Sequence, residues 1–330
     1  MQMSKLGLIP KIAENIKNAE TQSDKLDILK RYPNESLLMR ILKYAYNPMA
    51  DFGMAGHQPL HKGKEHGLGI SKFMHIFQEI LDGKFTHEEA IFATNLAVSY
   101  MNNTEVPVFV GVLRKDLDWG LDAETINAVW PDLIQSYPVQ TAVVATPELL
   151  SKLEYPCVVQ HMSNGIRVNI IIRRNTVEFR NKSGEIIHYF DDFKSQFSEL
   201  AQFGATVFDG HAVLVDEQNN ILQVTDEQIL SRDTGKLKFM LWDLVRYDGF
   251  AQGKDNRLGY NWRYNGIEHM TLLSAEKITD PCFILPTQYA FQSANDAIAF
   301  VEKITRPVVI KSLSSTWKGG PNFQELIVCK

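Results

Sequence analysis

The spacing of apolar residues changes once along this chain, and that change constrains the fold more than any single motif. Up to about Trp130 they recur at three- and four-residue steps. The series runs through Ile9, Ile12 and Ile16, then Leu26 and Leu29, then Leu37, Leu38, Ile41, Leu42, Tyr44 and Ala45, then Phe73, Ile76, Phe77, Ile80 and Leu81. A helix returns to the same side about every 3.6 residues, so each run makes one apolar stripe that needs a core. Gly83 ends the last stripe, and Thr86 with Glu88 and Glu89 opens a further helix with a capping hydroxyl and an acidic first turn. Beyond Pro138 to Pro147 short runs rich in β-branched residues take over: Cys157 to Val159, Val168 to Ile172, Thr176 to Phe179, Thr206 to Asp209, Ala212 to Val215, Phe239 to Val245, Val308 to Ile310 and Leu326 to Val328. Helices fit between them at Phe193 to Phe203 and Ala294 to Ile304. The expected fold is α+β and multidomain, an all-helical domain over 1–145 and an α+β domain on antiparallel sheets over 146–330.

A chain of 330 residues has room for two such cores, and 45% apolar with 22% charged residues is a globular profile. No apolar run approaches the roughly 20 residues of a membrane span, so no membrane partner is expected. Met1 to Lys5 carry no signal-peptide core, and Cys157, Cys282 and Cys329 lack metal spacing; both point to reduced thiols in a cytoplasm. A net charge of -5 argues against a non-specific nucleic-acid coat but leaves local basic faces open.

Two segments carry a resemblance. Val112-Leu113-Arg114-Lys115-Asp116-Leu117-Asp118-Trp119-Gly120 continues through Ile126-Asn127-Ala128-Val129-Trp130-Pro131, and Tyr155-Pro156-Cys157-Val158-Val159-Gln160-His161-Met162-Ser163-Asn164-Gly165-Ile166-Arg167 follows. Together they resemble the ATP-dependent DNA ligases of the T-even phage type. The first is similar to the signature closing the family's helical DNA-binding domain, the second to the Lys-x-Asp-Gly-x-Arg motif of its nucleotidyltransferase domain. The resemblance runs from about residue 40 to the end, and the family's C-terminal OB-fold has no counterpart before Lys330. It implies a phage-encoded protein in the host cytoplasm, with duplex or nicked DNA, or a replication, repair, transcription or host protein, as partner.

The family's chemistry is expected to be lost. Its lysine carries AMP on an amine, which must lose a proton and lie in line with the phosphate. Met162 stands there with a thioether, and Asn164 replaces the next aspartate; Gly165 and Arg167 remain. Asp209-Gly210-His211 matches a family Asp-Gly-Glu, so His211 replaces a carboxylate. Thr305-Arg306-Pro307 matches a segment that should open Glu-Gly, so Arg306 replaces a metal-binding glutamate. Two cations in one pocket at ~4 Å would repel by on the order of 4 kcal/mol, so no metal and no cofactor is expected. The nucleotide-binding remnant is Gly165, Arg167, Trp242, Lys311 and Lys330, with Val328 in place of a further lysine. Trp242 matches the aromatic that stacks on adenine; a Trp packed in the core is the plain alternative.

The DNA-binding candidates are Lys62, Lys64, Arg114, Lys115, Gly120, Asn127, Arg257 and Arg263, for which solvated surface charge is the plain alternative. His57, His61 and His66 in the Gly-rich stretch 53–69 read as a loop rather than a zinc site, having no cysteine partners. Lys318-Gly319-Gly320 reads as a turn. The leading reading is a ligase-derived pseudoenzyme that binds DNA or protein. The alternatives are an active minimal ligase, needing ATP and Mg²⁺ and a displaced lysine such as Lys152, Lys182 or Lys311, and an interaction protein that ignores DNA.

Overall fold

The computed structural model describes residues 7–54, 58–173, 176–232, 234–275 and 280–329. The chain divides into two compact units, Met1–Ser136 and Tyr137–Lys330. The first is helical. Helix Leu8–Lys17 buries Ile9, Ile12 and Ile16, helix Ser36–Tyr46 buries Leu38, Ile41, Leu42 and Ala45, and helix Met74–Leu81 buries Met74, Ile76 and Phe77, so the 3.6-residue stripes form one core. Helix His87–Tyr100 starts with a complete capping box: the Thr86 side chain accepts from the Glu89 N–H and Glu89 accepts from the Thr86 N–H. Helix Val106–Arg114 ends with Lys115 in the left-handed region, φ 62°.

The second unit has twelve strands among its described residues: β1 Gln140–Val144, β2 Cys157–His161, β3 Ile166–Arg173, β4 Thr176–Arg180, β5 Thr206–Val215, β6 Lys236–Arg246, β7 Lys254–Gly259, β8 Phe283–Ile284, β9 Gln288–Phe291, β10 Val308–Ser312, β11 Thr316–Lys318 and β12 Gly320–Val328. They form one five-stranded sheet in the order β1-β12-β10-β2-β9, a second in the order β4-β3-β5-β6-β8, and the pair β11-β7. The sheets are mixed and not wholly antiparallel, because β1 pairs with β12 and β6 with β8 in parallel. The first of these pairings also moves the boundary expected near residue 145. β1 is hydrogen-bonded to the end of the chain, so the second unit starts at Tyr137. Thr206 to Asp209 and Ala212 to Val215, expected as two strands, are the continuous β5. Its pairing with β6 slips at Asp209/Gly210, a bulge that keeps the strand running. A Cβ on Gly210 would meet the Met240 carbonyl oxygen at 2.4 Å, so only glycine fits there.

Successive residues of a strand face opposite sides of the sheet, and here that alternation sorts core from cleft. Val168, Ile170, Phe208, Ala212, Leu214, Phe239 and Leu241 turn to one face of the second sheet and pack with Phe179, Phe190 and Phe197. Cys157, Val159, Val308, Ile310 and Leu326 turn to one face of the first and pack with Ala297 and Val301 of helix Ala294–Lys303. Arg167, Asp209, His211, Met240 and Trp242 on one sheet and Gln140, Gln160, Lys311, Glu325 and Ile327 on the other are left to line a cavity of about 140 Å³.

Candidate functional site

Arg167 lies one strand away from Asp209 and binds it bidentately through one edge of its guanidinium. Nε donates to Oδ1 at 3.1 Å and Nη2 to Oδ2 at 2.6 Å, while Nη2 also donates to the Gln140 carbonyl at 2.6 Å. Gln140 ties this pair to the other sheet. Its Nε2 donates to Glu325 Oε1 at 2.7 Å, and its Oε1 accepts from Asn322 Nδ2 and from the Lys318 N–H, each at 3.0 Å. Glu325 Oε2 faces Lys311 Nζ at 3.8 Å, with both side chains buried. Burial pushes the Glu325 carboxyl above its ordinary range, and the Lys311 charge pulls against it. Beneath this layer Arg263 donates to both oxygens of Asp243, at 2.7 and 2.9 Å, and to the carbonyls of Leu258 and Ser315.

His211 stands edge-on to Trp242, ring centres 4.3 Å apart, and its Nδ1 lies 2.9 Å from Ser163 Oγ. Burial and the neighbouring Arg167 charge push the imidazole down to about 4, so it is neutral at pH 7. So weak a base does little to activate the Ser163 hydroxyl. The expectation that His211 adds a cation to the pocket is corrected: desolvation beside an arginine forbids it. Arg306 is corrected as well. It is exposed in the bend before β10 and is not among the residues lining the cavity, so the expected repulsion between two cations there does not arise.

Met162 does lie at the cavity, 41% exposed, just beyond the end of β2, with its N–H donating to the Pro307 carbonyl at 3.0 Å. Gly165 follows because a Cβ there would meet the Ala212 carbonyl oxygen at 2.7 Å. Asn164 points elsewhere, its amide donating to Gln223 Oε1 at 2.8 Å. Of the remnant expected to bind nucleotide, Arg167, Trp242 and Lys311 meet in the cavity, with the Trp242 ring 5.8 Å from the Arg167 guanidinium and 6.0 Å from Lys311 Nζ. Lys330 lies outside the described residues, as does His57. Lys152 and Lys182 are exposed and outside the cavity lining, Lys152 being ion-paired with Glu148 on its own helix.

A divalent cation needs several hard oxygen ligands free to turn toward it. Both carboxylates lining the cavity are held by cationic or amide groups of this chain, Asp209 by Arg167 and Glu325 by Lys311 and Gln140. Among the described residues no group of three or more His, Cys, Asp or Glu is disposed to hold a metal. The donor set does not fit magnesium. The cavity offers an aromatic face, amides and paired charges, which can bind, with the Met162 thioether among its lining.

The candidate DNA-binding residues divide. Lys62 and Arg114 share a shallow surface hollow with His61 and Asn103. Lys64 is exposed with its ammonium 4.5 Å over the Tyr100 ring. The rest have work inside the fold. Lys115 Nζ donates to the Tyr44 and Asn47 carbonyls at 2.9 and 2.6 Å, closing the end of helix Ser36–Tyr46. The Gly120 carbonyl accepts from Gln22 and Lys25, and Asn127 exchanges two 2.9 Å hydrogen bonds with the Ile134 backbone. Arg257 is forked onto Asp248 and Asp255, and Arg263 is buried on Asp243, so neither is a free surface charge. Of Lys318-Gly319-Gly320, expected as a turn, Lys318 ends β11 and Gly320 begins β12, with Gly319 alone forming a bend between the strands.

Sequence reasoning missed Gln140, Gln160, Glu325 and Asp243 as cavity or supporting residues. Glu325 had a signal, a carboxylate set directly before the apolar run Leu326-Ile327-Val328. Gln140 had none, since it lies in a stretch without strand periodicity.

An α+β unit of two facing sheets with a polar cleft, preceded by a helical unit, is the architecture of a DNA-ligase adenylation domain with an N-terminal helical region. Two solved structures are similar to it at the level of fold. The chain is similar over its whole length to the structures named "Pmar-Lig_PreS3" and "Pmar-Lig_Pre.", at 17% identity each, TM-scores 0.51 and 0.52, covering 78% of those chains. The ATP-dependent DNA ligase from bacteriophage T7 in complex with ATP aligns over 58% of this chain and 68% of its own, at 12% identity and TM-score 0.46. No protein-family model and no curated protein sequence matches the chain. Among the described residues no helix is long and apolar enough to cross a membrane.

Proposed function

We propose that this chain is a ligase-fold protein that has given up adenylyl transfer and serves as a DNA-binding module in replication or repair. One observation carries the reading. At the position matching the transfer lysine stands Met162, and both carboxylates of the cleft behind it are neutralised from within, Asp209 by Arg167 and Glu325 by Lys311. A thioether makes no phosphoramidate, and paired carboxylates make poor ligands for magnesium. The phage origin and host-cytoplasm setting belong to the same reading and rest on the motif resemblance. DNA is favoured as partner because the exposed Lys62 and His61 share a surface hollow of the helical unit with Arg114, near the start of the signature that resembles the family's DNA-binding domain. Phosphate contacts from such residues hold a duplex without reading its sequence.

A gel-shift series with nicked, intact and single-stranded DNA tests it. Retention of nicked or intact duplex, weakening with added salt, is expected. Failure to retain any of the three removes DNA and leaves a protein partner as the function of the module. The active-ligase alternative has one residue in its favour. Lys311 is the single cavity-lining residue among Lys152, Lys182 and Lys311, but its amine faces Glu325 across 3.8 Å. An amine held toward a carboxylate in this way is not directed at a phosphate.

A further inference from the structure

Helix His87–Tyr100 breaks the rule that a surface helix has one apolar and one polar side. Ala90, Ala97 and Val98 are buried in the core of the helical unit, yet Phe92, Leu96 and Tyr100 on the opposite side are 68%, 48% and 50% exposed. A helix apolar on both sides is stable where both sides are covered. The exposed row is also widened from the loop beside it. The Leu60 N–H donates to Asn95 of the helix and the Leu68 N–H to the Tyr100 carbonyl, and the two leucines are 80% and 52% exposed. A contiguous patch of this kind marks an interaction surface.

The charges at its two ends say what covers it. Glu88, Phe92, Leu96 and Tyr100 are spaced by four residues and so form one row along the helix. The row starts at a carboxylate and ends at Tyr100, over whose ring Lys64 places its ammonium at 4.5 Å. Read along the helix the sequence is negative, three apolar groups, positive. Such a row is complementary to itself when reversed. We propose that two copies of this chain associate through it in an antiparallel, twofold arrangement. Leu96 meets Leu96 of the other copy on the axis, Phe92 meets Tyr100, and Glu88 meets Lys64 at each end. A twofold interface uses the same patch on both subunits, which is what a self-complementary row provides. Covering five large apolar side chains on each of two copies removes on the order of 1,000 Å², about the area at which specific association begins. The inference stands apart from the reading of the cleft and survives its failure.

Sedimentation velocity of the full chain over a hundredfold range of concentration tests it. A monomer–dimer equilibrium is expected, and Leu96→Glu should weaken it at least tenfold while leaving thermal unfolding unchanged at concentrations low enough that both chains are monomeric. Glu88→Lys and Lys64→Glu should each weaken the dimer severalfold, and the two together should restore it, because each then faces the other's partner across the axis. A monomer at every concentration, a dimer indifferent to Leu96→Glu, or a double variant no better than the singles would each overturn the proposal.

Discussion

Arg167 and Asp209, on neighbouring strands β3 and β5, hold each other through two hydrogen bonds of 3.1 and 2.6 Å inside the cleft. The pair decides how the cleft behaves. An arginine so engaged cannot leave to meet a phosphate without uncovering a carboxylate that is nearly fully buried, and that carboxylate cannot turn to a metal without freeing the arginine.

Asp209→Ala should therefore destabilise the second unit by about 3 kcal/mol, since it leaves the guanidinium largely desolvated and without its counter-charge. Urea unfolding measures this. The same experiment with added Mg²⁺ should leave the wild-type midpoint unmoved, because Asp209 is already taken.

The neutral imidazole of His211 gives a pH dependence of defined sign. Its folded value, about 4, lies below the ordinary 6.5, so between those values the unfolded chain binds a proton the folded chain refuses. Stability from this group is intact above pH 6.5 and falls as pH drops toward 4, by about 3 kcal/mol in all. His211→Gln should remove that loss, so the stability difference between wild type and variant should narrow by this amount from pH 7.5 to pH 4. A difference constant with pH would contradict it.

Gly210 sits where the β5–β6 register slips, and a methyl group there falls within 2.4 Å of the Met240 carbonyl oxygen. Gly210→Ala should cost about 2–4 kcal/mol by forcing backbone rather than side chain to move. Thermal unfolding reads it, and a loss under 1 kcal/mol would mean that the bulge is softer than this contact requires.

Lys115 and Lys62 should separate structure from binding. Lys115→Met removes two charge-assisted hydrogen bonds at a helix end and should lower stability by about 2 kcal/mol. Lys62→Glu touches an exposed residue and should leave stability within 0.5 kcal/mol, roughly the range of surface changes, while weakening retention of duplex DNA severalfold. Equal effects of the two on DNA retention at matched folded fraction would contradict the division.

Much of the fold was legible because it rests on period. The stripes through Ile9, Leu38 and Phe77 name a helical core directly, and the Thr86 to Glu89 box marks a helix start within four residues. Strand cores such as Val168 to Ile172 were equally plain. What stayed hidden is carried by partners distant in sequence. β1 becomes a strand only through β12, some 180 residues on, so its own residues show no pattern. The bulge at Gly210 turns two apparent strands into one. At the site, residue identities located Met162, His211, Arg167, Trp242 and Lys311 in one cavity, but charge states did not follow from identity. His211 reads as a potential cation in a string of letters and is a neutral ring once Arg167 and burial are beside it. Arg263 reads as a surface charge and is buried under Asp243, because only the three-dimensional neighbour explains a cation in a core.

A cleft without adenylyl transfer cannot carry adenylate behind Met162. The direct measurement is incubation of the purified chain with α-labelled ATP and Mg²⁺, followed by denaturing electrophoresis, for the wild type and for Met162→Lys. Neither should retain label: the first has a thioether and no amine at residue 162, and the second has an amine there but cleft carboxylates committed to Arg167 and Lys311. A labelled band from the wild-type chain, lost in Lys311→Met, would contradict the account and identify an active transferase.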